Sequence, residues 1–506
     1  MDAVQGQRQH TSAVGPDLSG KPARLFDRED EWSALLAFSK DPHARTGLGA
    51  VLGRPRQGKT LLLESVARAT GGFYFGGQEA TEAESLRRLG AEYARYRQVS
   101  EPSHWSDWKE AVDALLALGD SRPLPVIIDS FPDLVAASPA LASAVHGAIR
   151  RLERSPQENR ARLILAGDTG PVMNRLFAPA AALAAAAALK VDLQPFDFRK
   201  AARLWGIDDP ELAFLVYAVV GGTPAYRHDY VGGDAPADRN DFDAWVCRTV
   251  LNPCTPLFRE ARHLVDEETG HLSSGACHSV LSALAAGCTR QGEIASFLGQ
   301  QLTDASQTLT VLREHGLLRS EPDGLRPAVV RHRPTDQLLA FEHAVARPRR
   351  TLLEQGAAEA VWEDARTDFH SRVAGPQFAQ TCRDWAVRFA APDTFGADHV
   401  AAAYGSLGAA APATALQAEV VVREQDGHRT GALLSVGLAR WQTGMDIHHM
   451  QRLRSIVDTL ASREEEDVSR VRLALYGASG FSPELHAAQA RDEVMLIDLE
   501  RLYRGA

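Results

Sequence analysis

Gly53 to Thr60 reads GRPRQGKT. It fits G-x-x-x-x-G-K-[ST], a spacing whose backbone cradles phosphates. Leu48-Gly49-Ala50-Val51-Leu52 precedes it as a short apolar strand, and Leu61 to Ala69 follows as a helix. In a strand–loop–helix unit the loop N–H groups converge as an anion nest, and the helix N-terminus adds positive partial charge. Gly53 and Gly58 let the backbone turn tightly and approach the phosphates. Arg54, Pro55, Arg56, Gln57 and Leu61 complete the expected nucleotide-binding stretch. Lys59 is expected between the β- and γ-phosphates, and Thr60 as a ligand of Mg²⁺.

Such a unit needs a sheet around it. Gly71-Gly72-Phe73-Tyr74-Phe75 reads as a second strand, and two helical stretches follow. Leu124-Pro125-Val126-Ile127-Ile128-Asp129 is an apolar strand ending in a carboxylate. After a phosphate loop, that carboxylate is the expected second holder of Mg²⁺, so Lys59 and Asp129 are the candidate catalytic residues. The next position often carries a glutamate that polarises the attacking water. Here it is Ser130, whose hydroxyl has no useful basicity near neutral pH. Asp133 is a nearby carboxylate whose spacing from the strand end fits a solvated loop acid. Arg162 to Thr169 forms a further strand, and Thr169 or Asp168 could sense the γ-phosphate, although a carboxylate would repel it. Ala178 to Leu189 is nearly all alanine and is expected to be helical. Val191 to Phe196 reads as the last strand. Upstream, Asp27-Arg28-Glu29 either caps the first helix or brings Arg28 and Glu29 near the nucleotide.

At 506 residues the chain is too long for one core, so about three domains are expected. The net charge of −10 argues against nucleic-acid binding by the whole surface, not against a local basic patch. The five cysteines include no C-x-x-C pair, which points to a reducing, cytoplasmic setting without a zinc site. No apolar run has the length of a membrane span, so no membrane partner is expected.

Downstream, Gly221-Gly222-Thr223-Pro224-Ala225-Tyr226 is a tight turn at the end of a small helical lid. Val280–Ala285, Gly292–Leu298 and Asp304–His315 then read as three helices, followed by a hairpin with Pro322-Asp323-Gly324 as a turn. Three short helices and a hairpin describe a winged helix. Its third helix presents Gln307, Thr308, Thr310 and Arg313, and the wing carries Arg319, Arg326, Arg331 and Arg333. Arg313, Arg331 and Arg333 are the candidate contacts to duplex DNA; the alternative is a module for protein or interdomain contact. Beyond Thr351 come helices that bury Trp362, Phe369, Phe378, Trp385 and Phe389. A β-rich stretch follows, with strands over 418–423, 432–441 and 471–476 and a helix over 447–460.

The stretches FDREDEW, GRPRQGKTLLL, GGFYF, VIIDSFPDL, LILAGDTG, GGTPAY, GEIASFLG, GLARW and GFSPEL together resemble the archaeal-type P-loop ATPases, an AAA+ and STAND-like group also widespread in actinobacteria. The resemblance implies an α/β fold: a P-loop NTPase parallel sheet with helical lid, then a winged helix, then an α/β restriction-endonuclease-like domain. The expected boundaries are a mobile tail over 1–24, the ATPase domain with lid over 25–232, a helical connector over 233–275, the winged helix over 276–350 and the last domain over 351–506. It implies ATP and Mg²⁺ as ligands, with duplex DNA or a protein as partner. The chain departs from the family in three places. Ser130 replaces the glutamate, which implies weak hydrolysis. The alanine run replaces an arginine-bearing segment. GLARW replaces Gly-Glu-x-Lys-Trp, so Leu438 stands for a metal-binding Glu and Arg440 for Lys, with Glu419 as the remaining carboxylate. That implies a degenerate nuclease site.

Overall fold

The computed structural model describes residues 20–41, 46–154, 159–269, 274–407, 416–426, 429–463 and 466–505. Most of the expected N-terminal tail, the Ala409–Pro412 stretch, the Gly427 turn and part of the 463–467 acidic run lie outside the described residues. The chain divides into two compact units, Met1–Gln194 and Pro195–Ala506.

The first unit is built on five strands: β1 (Gly47–Gly53), β2 (Phe73–Gly76), β3 (Leu124–Asp129), β4 (Ala161–Asp168) and β5 (Ala187–Leu193). Their order is β2-β3-β4-β1-β5, and every pairing is parallel. This is the P-loop NTPase α/β fold. Parallel strands need crossover helices, and those helices cover both faces of the sheet, so the strands are apolar throughout. The period-two alternation sorts their side chains. Val51, Ile127 and Ile164 face a layer formed by Trp32, Leu35 and Leu36 of the helix Glu29–Lys40 and Leu62, Leu63 and Val66 of the helix Lys59–Thr70. Leu52, Val126, Ile128, Leu163 and Leu165 face the opposite layer, with Trp108, Val112, Leu141, Val145 and Ile149.

The alanine run departs from the expected helix. Only Ala182–Ala186 is helical, and β5 begins at Ala187 inside the run. The edge of β1 offers a row of backbone donors and acceptors, and residues 187 and 189–193 complete it. Sheet pairing there outweighs alanine's helix preference, which is a few tenths of a kcal/mol per residue.

In the second unit the helix Pro210–Val220 ends at Gly221 with φ 63°. A Cβ on Gly222 would lie 1.8 Å from the Phe196 carbonyl, so this turn admits only glycine. Three helices, Ser274–Ala285, Gln291–Leu298 and Leu302–Glu314, are followed by an antiparallel hairpin of β6 (Leu318–Pro322) and β7 (Val330–Pro334). The last sheet has five strands: β8 (Val400–Leu407), β9 (Leu416–Asp426), β10 (Arg429–Arg440), β11 (Arg472–Gly477) and β12 (Met495–Ile497). They run in the order β12-β11-β10-β9-β8. β8, β9 and β10 pair antiparallel, while β10, β11 and β12 are parallel. The helices Ile447–Ser462 and Pro483–Ala490 pack on this sheet through Met450, Leu453, Ile456, Leu485 and Ala488.

Candidate functional site

The loop 54–58 joins β1 to the helix Lys59–Thr70 at the carboxyl edge of the first sheet, where open α/β sheets bind ligands. Two of its residues take left-handed angles, Arg56 at φ 66° and Gly58 at φ 83°. Open space lies within 4 Å of a Cβ placed on Gly58. Gly53 is needed for a different reason from the one its motif position suggests. It is the last residue of β1, and a Cβ there would lie 2.8 Å from the Leu193 carbonyl of β5. The close approach it permits is to the neighbouring strand.

Lys59 is buried and spends all three of its N–H donors nearby. Its Nζ donates to the Gly53 carbonyl at 2.9 Å, the Arg54 carbonyl at 2.8 Å and Asp168 Oδ1 at 2.5 Å. Asp168 ends β4 and is in register with Gly53 at the end of β1. The following residue, Thr169, donates its N–H to the Gly53 carbonyl at 3.0 Å. Of the two expected sensor candidates, then, Asp168 holds the loop lysine and Thr169 ties the strand ends through its backbone.

Asp129 is buried at the end of β3. Its Oδ2 accepts from the Thr60 hydroxyl at 2.7 Å and from the Tyr74 hydroxyl at 3.0 Å, and its Oδ1 from the Ser130 N–H at 2.9 Å. The two expected Mg²⁺ holders therefore touch. Sequence reasoning did not reach Tyr74. It projects from the face of β2 opposite buried Phe73 and Phe75, two pairs short of the Gly76–Asp129 register, and that alternation was the available signal. Burial, and then the Asp129 charge, push its phenol well above the ordinary range, which keeps it a donor.

Ser130 sits at φ 51° and turns the chain from β3 into the helix Phe131–Ala137. Asp133, read from sequence as a loop acid, lies in the first turn of that helix. Burial raises its carboxyl above the ordinary 3.8, and Glu79, Asp168 and Asp129 add to the rise. Pro132 holds this helix against β4, since a Cβ on Gly167 would lie 2.3 Å from the proline Cδ.

Arg28 resolves the two alternatives left open for it. It is buried, with φ 66°, and its side chain makes no helix cap. It donates to the Gln194 carbonyl at 2.8 Å, the Gln57 carbonyl at 3.4 Å and Glu31 at 3.0 Å. It thus links the phosphate loop to the end of the last strand.

In the second unit, the candidate DNA contacts Arg331 and Arg333 are both partly buried and paired with carboxylates. Arg331 donates to Asp323 at 3.1 Å, Thr289 at 2.8 Å and Ser406 at 2.9 Å, and its guanidinium lies 4.1 Å from the Tyr404 ring centre. The Asp323 side chain is fully buried and also accepts from the Leu325, Arg326 and Ser406 backbone N–H groups and the Ser406 hydroxyl. The expected turn residue is thus the hub that docks the hairpin on β8. Arg333 pairs with Glu321 at 3.0 Å. On the helix Leu302–Glu314, Gln307 and Arg313 are exposed. On the last sheet, Arg440 pairs with Glu419 at 3.0 Å and Leu438 is fully buried.

No protein-family model matches the chain. No curated protein matches it either. Solved structures do match at low identity. A Walker-type ATPase of Pyrococcus abyssi is 17% identical, with 63% of this chain and 96% of that one covered and a TM-score of 0.46. The Aeropyrum pernix ORC2 protein in ADPNP and ADP complexes is 15% identical, with 67% and 99% covered and a TM-score of 0.39. The Aeropyrum pernix ORC1 protein in complex with DNA is 16% identical, with 64% and 93% covered and a TM-score of 0.30. These are distant likenesses, and the fold rests on the sheet order and loop described above.

Proposed function

We propose that this chain binds Mg·ATP at the Gly53–Thr60 loop and uses it as a slow, nucleotide-dependent switch. One observation carries the reading. The phosphate-loop lysine and the touching Thr60–Asp129 pair are all present at one sheet edge, while Ser130 occupies the usual place of the base. The residues fit the ligand. Lys59 supplies the cation, and Arg56 and Gly58 hold the loop backbone in its left-handed turns. Thr60 and Asp129 would hold Mg²⁺, which would offset phosphate charge. With serine after Asp129, no strong base follows the strand, so binding outlasts chemistry.

The test is calorimetric titration of the purified chain with Mg·ATP beside a steady-state turnover assay. Saturable binding with turnover well below about 1 s⁻¹ is expected, since that value is the low end of ordinary enzymes. Turnover faster than that would overturn the slow-switch reading. Absence of binding would overturn the nucleotide reading itself.

The ion pair of Arg440 with Glu419 and the burial of Leu438 support a last domain of degenerate restriction-endonuclease type, without metal-dependent cleavage. A second reading, contact with duplex DNA through a winged helix, is favoured by one observation: Gln307 and Arg313 are exposed on the third helix. A gel shift that weakens on Arg313→Ala and with rising salt tests it. No shift at low salt leaves a protein partner as the reading for this module. Among the described residues no helix is long and apolar enough to cross a membrane.

A further inference from the structure

The residue that faces the loop lysine is a carboxylate, on the strand that borders the loop. Asp168 lies 2.5 Å from Lys59 Nζ, opposite Gly53 in the β1–β4 register. The lysine of such a loop reaches the β- and γ-phosphates. Any phosphate that takes this ammonium must replace an acceptor it already has. Two of the three acceptors are the Gly53 and Arg54 carbonyls of the loop itself. The third is Asp168. The Asp168 side chain is 53% exposed, so its charge is not there to fill a core. Its field reaches across the edge, since it is among the charges that raise the Asp133 carboxyl.

We infer that Asp168 determines which nucleotide the site prefers, setting it toward the diphosphate and against the triphosphate. The inference rests on the nucleotide-binding reading above. A diphosphate brings only its β-phosphate, which can take the ammonium in place of a loop carbonyl and leave the Lys59–Asp168 pair intact. A triphosphate brings a further dianionic group to the same lysine and meets the carboxylate. Like charges at such separations repel strongly where water is partly excluded. The switch then rests with ADP, and ATP enters at a cost that an uncharged residue at 168 would remove.

The test is calorimetric titration of the full chain with Mg·ADP and, separately, with the non-hydrolysable Mg·AMP-PNP. Wild type is compared with Asp168→Asn and Asp168→Ala. The alanine variant removes the charge without adding a donor, and the half-exposed position keeps both variants folded. Wild type should bind the diphosphate more tightly. Both variants should tighten AMP-PNP by about tenfold or more, while ADP changes by less than about threefold. Equal shifts for both nucleotides, or no tightening of AMP-PNP, would overturn the assignment. A wild-type chain that binds neither nucleotide would overturn the reading beneath it, and that outcome is distinct because no preference is then measurable.

Discussion

Lys59 and Arg440 each meet a carboxylate, Asp168 at 2.5 Å and Glu419 at 3.0 Å, but their surroundings differ in kind. Around Lys59 the other groups of a phosphate site persist: Thr60 on Asp129, a turned loop, and a half-exposed counter-charge. Around Arg440, the residue standing where the nuclease reading proposed above would need a metal ligand is Leu438, fully buried in the apolar core of the last sheet. The first pair is an ion pair that a stronger anion can open. The second has its one carboxylate, Glu419, already on Arg440 and a buried leucine beside it. Asp323–Arg331 extends the contrast, because there the carboxylate has no exposed side at all. A charged pair is thus a site only where its other neighbours can still take a ligand.

The sharpest way to break this contrast is at Asp323. Arg331→Ala leaves a fully buried carboxylate without its cation, and removing one partner of a buried pair costs about 3–5 kcal/mol. Chemical denaturation should show that loss, while Mg·ATP affinity stays at the wild-type value. A variant of unchanged stability but weakened duplex-DNA gel shift would return Arg331 to the DNA-contact role. Next in size, Lys59→Ala removes the charge-assisted hydrogen bonds to phosphate. Titration should show affinity falling by about 100-fold, the equivalent of about 3 kcal/mol. Unchanged affinity would mean that the ion pair with Asp168 is as structural as the one at Asp323.

The two units should also differ in their response to acid. His343 Nδ1 lies 2.9 Å from the Leu339 carbonyl, so that nitrogen carries the proton and donates. Its Nε2 then accepts from His278 Nδ1 at 3.2 Å, which leaves His278 Nε2 unprotonated, 3.7 Å from Asp266. Burial lowers His278 from 6.5 to about 4, with Arg347 and Arg262 helping and Asp266 opposing. Burial lowers His343 to about 3, with His278 and Arg347 helping and the Leu339 hydrogen bond opposing. Both pKa values are depressed in the fold, so their contribution is complete above pH 6.5 and is lost as pH falls toward 4 for His278 and toward 3 for His343. From pH 7 to pH 5 the second unit should lose roughly 2 kcal/mol through His278 alone. His278→Gln should shrink that difference. Asp133 in the first unit has the opposite sign: its raised pKa favours the fold as pH falls toward 3.8. Hydrogen exchange resolved by unit, at pH 7 and pH 5, would read the His278 effect.

Much of the first unit was legible because its constraints are local. A phosphate loop fixes a strand and a helix, and an apolar strand ending in Asp129 fixes a second. The Thr60–Asp129 contact follows once both sit at one sheet edge. What was not legible came from pairing across sequence. Ala187–Leu193 is a strand because β1 has a free edge, which propensity does not encode. Asp168 looked an odd sensor because its charge would repel phosphate, and the lysine it holds lies 109 residues away in sequence. In the second unit the arginines of the wing looked like nucleic-acid contacts. Asp323, the partner of Arg331, looked like a turn residue, and Ser406 and Tyr404 lie on β8, a strand absent from the sequence reading.

The smallest effect concerns the group that is missing from the intact site. Ser130 holds φ 51° and donates its N–H to Asp129, so its side chain leaves the chain at a turn that already tolerates a residue with a Cβ. Ser130→Glu should therefore fold, and its carboxylate should stand beside the Thr60–Asp129 pair. A positioned general base contributes about 100-fold or more in full. A newly placed one without supporting hydrogen bonds should raise turnover by about tenfold, read by phosphate release at saturating Mg·ATP. If turnover does not rise, Asp133 is the group to remove. Its raised carboxyl lies in the same helix turn and interacts with Asp129 and Asp168. Asp133→Asn abolishing the residual turnover, with Mg·ATP affinity retained, would mean that the first unit kept a base displaced by one helical turn. The first site would then differ from the Glu419 site in both its ligands and its chemistry.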